Sequence, residues 1–296
     1  MIPTTEPRQT APLESSQIAP LGGVSPLIDV HAHFHTDRTG RVDWVGYNDA
    51  RIAAGRKIGV DCHVASVLGS WGQTSPTYFP SPDDLTYANS WMTRYAHESG
   101  GEVRAFIAVN PNHPQHAISE ITRGLDAGAI GIKLAASRRA DDALLDDICA
   151  AAVQYRVPVL HHIWQYRRRD WPNQDASDGV ELARLALRHP AATFILAHIG
   201  GGGDYSHTFP AVRDLPNIVM DLSGSGIDRG MIDEAVRWVG ARRLLWAADL
   251  TLCTGLTKLW ALESMGLSTD NIADIRWQNA VRIFPPGSFH HSGAAL

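Results

Sequence analysis

The sequence predicts an α/β fold, a single-domain (β/α)8 TIM barrel, and three observations carry that expectation. Eight short apolar runs rich in β-branched residues recur along the chain, and stretches with apolar residues at helical spacing fill most of the gaps. The rival fold, a doubly wound open sheet, usually carries a glycine-rich phosphate loop after its first strand. Here that place reads HAHFHTDRTG.

The runs are LIDVHAH (27–33), VDCHVASV (60–67), RAFIAVN (104–110), AIGIKLA (129–135), VPVLHHI (157–163), ATFILAHIG (192–200), NIVMDLSG (217–224) and RLLWAADL (243–250). Each reads as a strand buried on both faces, as a parallel sheet covered by helices requires. Helices are predicted over 115–128, with Gly128 as a C-terminal cap, and over 141–155, whose early acids suit the helix dipole. Two more are predicted over 178–189 and over 230–240, the latter opened by Asp228. GSWGQTSPTYFPSP (69–82) reads as a long aromatic loop, placed as a lid or a subunit contact. No internal repeat or linker divides the chain. The expected organisation is a flexible tail over 1–26, a barrel over 27–284 and a C-terminal tail over 285–296.

Composition narrows the function. The chain has 296 residues, 44% hydrophobic and 19% charged, with a formal net charge of −5, a balance that argues against a nucleic-acid-binding surface. No segment reaches the roughly 20 apolar residues that span a bilayer. The Pro-, Ser- and Thr-rich start lacks the basic region and apolar run of a secretory signal. Cys62, Cys149 and Cys253 form neither a disulfide framework nor a metal knuckle. A reducing, cytoplasmic location is expected.

Alternation on the first strand puts Asp29, His31 and His33 on one face. They are either satisfied polar groups of a half-buried strand or an imidazole pair converging on an ion. Other strand ends decide between these readings. The fifth supplies His161 and His162, the sixth His198, and the eighth Asp249. In a barrel these ends surround one mouth, where active sites sit. Imidazole nitrogens with a carboxylate suit Zn²⁺ and similar divalent ions and leave a position for water.

In that order, DVHAH, GIKL (131–134), PVLHH, FILAHIGG (194–201), the strand-eight aspartate and NAVRIF (279–284) resemble the amidohydrolase superfamily. The resemblance is strongest to its amidohydrolase-related, aminocarboxymuconate-semialdehyde-decarboxylase-like branch of metal-dependent barrels. It implies one divalent metal, foremost Zn²⁺ with Mn²⁺ as the alternative, held by His31, His33, His162 and Asp249. It implies that Asp249 also shuttles protons and that His198 binds substrate or polarises its carbonyl. His161 then points away from the mouth. Lys133 stands where two-metal members carry a carboxylated lysine; the bland reading is a structural lysine paired with a carboxylate. His35 lies beyond the usual pair and is expected on the loop, touching substrate or exposed. The motif after strand eight reads AADLT, a departure from the branch that reshapes the rim beside Asp249. A homodimer is the expected assembly.

Rim residues complete the candidates. Trp164 and Arg167, in HIWQYRRRDW (162–171), are placed to meet substrate, the guanidinium pairing with a carboxylate. Ser223 or Ser225, in DLSGSG, is placed to touch substrate, and the Gly200–Tyr205 turn keeps bulk away from His198. The leading expectation is hydrolysis of a small amide, ester or lactone by water whose pKa a metal lowers from about 16 to about 7, with Asp249 moving the proton. The alternative is a metal-dependent decarboxylase of a small carboxylic acid, and a third class is a non-catalytic barrel.

Overall fold

A computed structural model describes residues 25–163, 175–199, 205–224, 229–249 and 255–289. Eight strands follow one another in a single sheet in chain order: β1 (Ile28–His33), β2 (Cys62–Ser66), β3 (Val103–Val109), β4 (Gly131–Leu134), β5 (Val159–His162), β6 (Phe194–Ala197), β7 (Ile218–Asp221) and β8 (Leu244–Leu245). Every ladder between neighbours is parallel. The helices between them are α1 (Trp44–Lys57), α2 (Pro82–Glu98), α3 (Pro114–Asp126), α4 (Asp146–Tyr155), α5 (Gly179–Arg188), α6 (Tyr205–Val212) and α7 (Arg229–Val239), with α8 (Leu256–Glu263) after β8. This is the (β/α)8 barrel that the alternation of runs predicts.

The eighth run is shorter as a strand than its apolar length predicts. Trp246 donates its backbone N–H to Ile275 O, and Ala248 donates to a side-chain oxygen of Asp29. With those donors diverted, the chain reaches β1 through two bonds, Val30 N–H to Trp246 O at 3.2 Å and Asp249 N–H to His31 O at 2.9 Å. They close the barrel.

Helix ends follow local chemistry. Ser81 caps α2 by accepting from Asp84 N–H, with Pro82 at the first helical position and two acids in the first turn. Asp178 and Glu181 form a reciprocal capping box on α5. The predicted 141–155 segment begins as a 3₁₀ turn over Ala143–Leu145, capped by Asp142, before α4. Asp228, the expected opener of α7, lies outside the described residues. Helix α1 carries no sequence signal because its buried face is Asn48, Ile52 and Gly55, which has no apolar period.

Two cores result. Leu27, Ala32, Phe34, Ile132, Val159, Phe194 and Leu196 pack between strands and helices. Ile28, Val30, Val64, Phe106, Leu160, Ile195, Val219 and Leu245 fill the barrel, plugged below by Phe284 and Phe289. The first residues of the expected C-terminal tail therefore pack: Ser288 O accepts from Arg104 Nε, and the Phe289 ring lies 5.5 Å from that of Phe284. No helix among the described residues is long and apolar enough to cross a membrane.

Candidate metal centre

Strict alternation fails on β1, and the failure shapes the site. The β1–β2 register slips by one residue between Asp29 and Ala32, a bulge that parts Asp29 from the histidines it was expected to accompany. The Asp29 carboxylate turns to β2 and meets His63 Nδ1 at 2.9 Å. Its other oxygen accepts the backbone N–H of His31 and of Ala248. Past the bulge His31 and His33 point into the barrel mouth, their Nε2 atoms 3.2 Å apart.

Asp249 arrives from β8 with Oδ1 3.5 Å from His33 Nε2 and 3.8 Å from His31 Nε2. Its Oδ2 faces His198, 3.7 Å from Nδ1. Asp249 and His198 both hold left-handed backbone, φ 56° and 64°, which costs a non-glycine residue roughly 1–3 kcal/mol. The bonds of Asp249 N–H to His31 O and of His198 N–H to Asp221 Oδ1 fix these two strand ends. Gly224 lies so close that a Cβ there would sit 3.0 Å from His198 Cβ.

Asp221, at the end of β7, organises the imidazoles from below. It is fully buried and accepts from His198 N–H, from Ser223 N–H and from the Ser223 hydroxyl. Its Oδ2 lies 2.9 Å from His31 Nδ1. An ionised carboxylate only accepts, so the network assigns the His31 proton to Nδ1 and a lone pair to Nε2. His33 Nδ1 is likewise engaged, 3.0 Å from Ser66 Oγ. Support of this kind fixes the tautomer and orientation of metal-ligating histidines.

Two groups of three bring ligand atoms within 4.8 Å of one another among the described residues: His31, His33 and Asp249, and His31, His198 and Asp221. The second is less available, because backbone and hydroxyl donors already occupy Asp221. In the first, imidazole nitrogens and a carboxylate oxygen converge, and 3.2 Å is a spacing that two metal–nitrogen bonds of about 2.1 Å can span. The donor set fits one divalent ion. Lys133 on β4 shares this space, its Nζ donating to His31 Nε2 at 2.8 Å.

Burial sets the protonation states. It holds the His31, His33 and His162 imidazoles well below their ordinary value, with the charge of Lys133 acting in the same direction. It lowers His198 to about 4, against the pull of Asp221. It pushes the Asp249 carboxyl up to about 7, against Lys133, and the Lys133 ammonium down to about 8. The histidines thus present neutral lone pairs, the form a metal needs.

The other candidates fall as follows. His162 Nδ1 lies 3.2 Å from His198 Nε2, with the rings perpendicular at 4.8 Å, and it belongs to neither group of three. His161 is buried, its Nδ1 3.0 Å from His162 O. Its neighbour Leu160 lines the barrel interior. His35 is not exposed: its ring packs between Tyr47 at 5.3 Å and Trp71 at 4.9 Å, and Asn48 bonds its backbone twice. Ser223 lies under the imidazoles rather than on the rim, its Oγ 3.0 Å from His31 Nδ1 and from His198 Nδ1. Trp164, Arg167, Ser225 and Gly200–Asp204 of the glycine turn lie outside the described residues. Sequence reasoning missed Asp221 and Ser66. Each ends a strand, and that position was their one legible signal.

The amidohydrolase family model matches residues 28–285. No curated protein matches the sequence. Among solved structures, the chain is similar to 2,6-dihydroxybenzoate decarboxylase from Rhizobium, with a TM-score of 0.69 and 16% identity over 88% of this chain and 98% of that one. It is also similar to 5-carboxyvanillate decarboxylase from Sphingomonas paucimobilis, at 0.67 and 18% over 88% and 98%. A dihydroxybenzoic acid decarboxylase from Polaromonas, solved with manganese and the inhibitor 2-nitroresorcinol, gives 0.66 and 17% over 88% and 96%. At these identities the likeness establishes the fold.

Proposed function

The chain belongs to the amidohydrolase family, and on that premise we propose that it is a metal-dependent decarboxylase of a small carboxylic acid. This carbon–carbon lyase reading displaces the hydrolase that the motifs alone put first. The observation that carries it is the placement of Asp249. Three carboxylates approach His31 among the described residues. Asp29 and Asp221 are held by backbone N–H groups, whereas no backbone N–H among the described residues holds the Asp249 carboxyl, whose Oδ2 faces His198 across 3.7 Å. Cleaving a carboxylate from carbon requires a proton donor for the electron pair left behind, and Asp249 is suited to that task. That three similar folds are decarboxylases supports the same choice.

His31, His33 and Asp249, with His162 as the resemblance implies, would hold one divalent ion. Bound there, the ion would supply positive charge for anionic oxygens of the substrate. Manganese in the similar Polaromonas structure favours Mn²⁺ over Zn²⁺. Asp249 divides its work between its oxygens: Oδ1 faces the histidine pair, and Oδ2, toward His198, carries the proton. The carbon–carboxyl bond breaks, carbon dioxide leaves, and the electron pair on carbon takes the Asp249 proton, which solvent replaces. Neutral His198 steadies that carboxyl, while Ser223 and Asp221 hold its ring and backbone. Lys133 adds a buried cation beside the substrate carboxylate.

The test is a panel of small acids, lactones and amides given to the Mn²⁺- and Zn²⁺-loaded protein. The expected result is carbon dioxide release, with one deuteron incorporated at the former carboxyl carbon in heavy water. Hydrolysis of a lactone or amide without carbon dioxide release would reverse the choice. The homodimer belongs to the same proposal, and sedimentation at micromolar concentration reads it directly.

A further inference from the structure

One carboxylate ties together the two strand ends that carry His31 and Asp249. Ile28, Val30 and Val64 fill the barrel, so Asp29 and His63, which alternate with them, face outward to α1. Asp29 Oδ1 accepts the backbone N–H of His31 at 3.1 Å and that of Ala248 at 2.9 Å. The first donor belongs to a ligand candidate, and the second immediately precedes Asp249. Both lie where the strand ladder lapses, at the β1 bulge and just beyond the short β8.

His63 holds that carboxylate in turn. It stands opposite Asp29 in the β1–β2 ladder, with Nδ1 2.9 Å from Oδ2. A carboxylate accepts, so the network assigns the ring proton to Nδ1. Both side chains are buried, and the backbone N–H of His63 is fixed on Glu102 O at 2.8 Å. The far edge of the ring reaches α1 at Gly55, where a Cβ would come within 2.5 Å of Nε2 and 2.8 Å of Cε1. Glycine weakens a helix interior relative to alanine, yet Gly55 lies buried inside α1. The room taken by the imidazole is the physical reason for it.

We infer that His63 is a positioning residue of the metal centre, acting through Asp29 on His31 and Asp249. With the imidazole in place, one orientation of the carboxylate meets all three N–H groups. Without it, Oδ2 loses that donor and the carboxylate can turn, releasing His31 N–H and Ala248 N–H together. The spacing of Asp249 Oδ1 from His33 Nε2, 3.5 Å, and from His31 Nε2, 3.8 Å, then loosens. An ion feels such a change because metal–ligand distances hold to within about 0.2 Å. The inference rests on the reading of His31, His33 and Asp249 as ligands and is independent of the reaction they serve.

Co²⁺ added alone to the metal-free protein provides the test, with affinity read by chelator competition and ligand geometry by visible absorption. His63→Leu should weaken Co²⁺ binding about tenfold and change the absorption band. His63→Asn keeps an N–H donor near the place of Nδ1 and should stay within about threefold of the unsubstituted protein, with its band. Gly55→Ala drives a Cβ into the ring and should weaken binding about threefold or more. In the His63→Asn background, where Nε2 and Cε1 are gone, the same substitution should leave affinity unchanged. Should His63→Leu fail to fold, Gly55→Ala with and without His63→Asn carries the test. Hydrogen exchange of the His31 and Ala248 amides reads the strut without metal, about tenfold faster in His63→Leu and unchanged in His63→Asn. Equal affinities and bands in all forms, equal losses in His63→Leu and His63→Asn, or a Gly55→Ala loss that persists in the double variant overturns the inference. The two readings fail separately: exchange that responds in a protein that binds no Co²⁺ sinks the ligand set and leaves the strut. Co²⁺ binding with affinity and exchange indifferent to His63 does the reverse.

Discussion

Replacing Asp221 by asparagine isolates the tautomer of His31 from everything else at the site. The amide oxygen keeps the backbone donors of His198 and Ser223, 3.2 and 2.9 Å away, because turning the NH₂ toward them would oppose donors to donors. The NH₂ therefore faces His31 Nδ1, 2.9 Å from the atom it replaces. Nδ1 must then accept, and the ring proton moves to Nε2, the atom aimed at His33 and Asp249. Recovering a ligating Nε2 leaves two buried N–H groups opposed, a penalty of about 1–3 kcal/mol. Metal affinity should fall about 10–100-fold with the fold intact. Competition against a chelator measures the affinity, and ¹⁵N chemical shifts of the ring report the tautomer. Asp29→Asn is the control: its first oxygen keeps His31 N–H and Ala248 N–H, and the change falls on His63. Its affinity should move less than about threefold. Equal losses in the two variants, or none in Asp221→Asn, would refute the argument.

Three further outcomes follow from the same geometry. Asp249→Asn removes the proton carrier while keeping the backbone bond to His31 O, so turnover should drop at least about a hundredfold with unchanged circular dichroism; near-normal turnover would remove Asp249 from its role. In the metal-free protein, His31, His33, His161, His162 and His198 all have folded pKa values below the ordinary 6.5, so below that pH the unfolded chain takes up protons that the native one refuses. Asp249, raised to about 7, opposes this with one proton, and the histidines outnumber it, so stability should fall as pH drops from about 6 toward 5. Urea midpoints that stay flat or rise over that window would contradict the buried neutral imidazoles. Gly131→Ala would place a Cβ 2.3 Å from Phe106 Cε1 inside the barrel and 3.1 Å from Pro158 O, costing about 1–3 kcal/mol by urea unfolding; an unchanged midpoint would show that Phe106 yields.

The barrel was legible because buried parallel strands leave apolar runs whatever their exact ends. The ligand candidates were legible because strand ends converge on one mouth. The bulge between Asp29 and Ala32 left no such trace. Alternation is a rule about regular strands, and one extra residue reverses it without changing composition. Asp221 stayed unread because its role is to hold His198 from the neighbouring strand and His31, 190 residues away in sequence. Helix α1 was hidden by its polar buried face, in which Asn48 serves the backbone of His35. The aromatic loop over 69–82 reads as a lid or a subunit contact, but its shape comes from the bonds of Thr74 and Ser75 hydroxyls to Asp84, which spacing does not encode.

The bond from Asp249 N–H to His31 O joins the end of the eighth strand to the first, at the seam where the barrel closes. During synthesis, His31 and His33 emerge more than two hundred residues before Asp249. On the proposed ligand set the site is therefore incomplete until the eighth strand docks. An ion held there would tie the eighth strand to the first. It would favour the closed ring over any state in which the eighth strand is undocked.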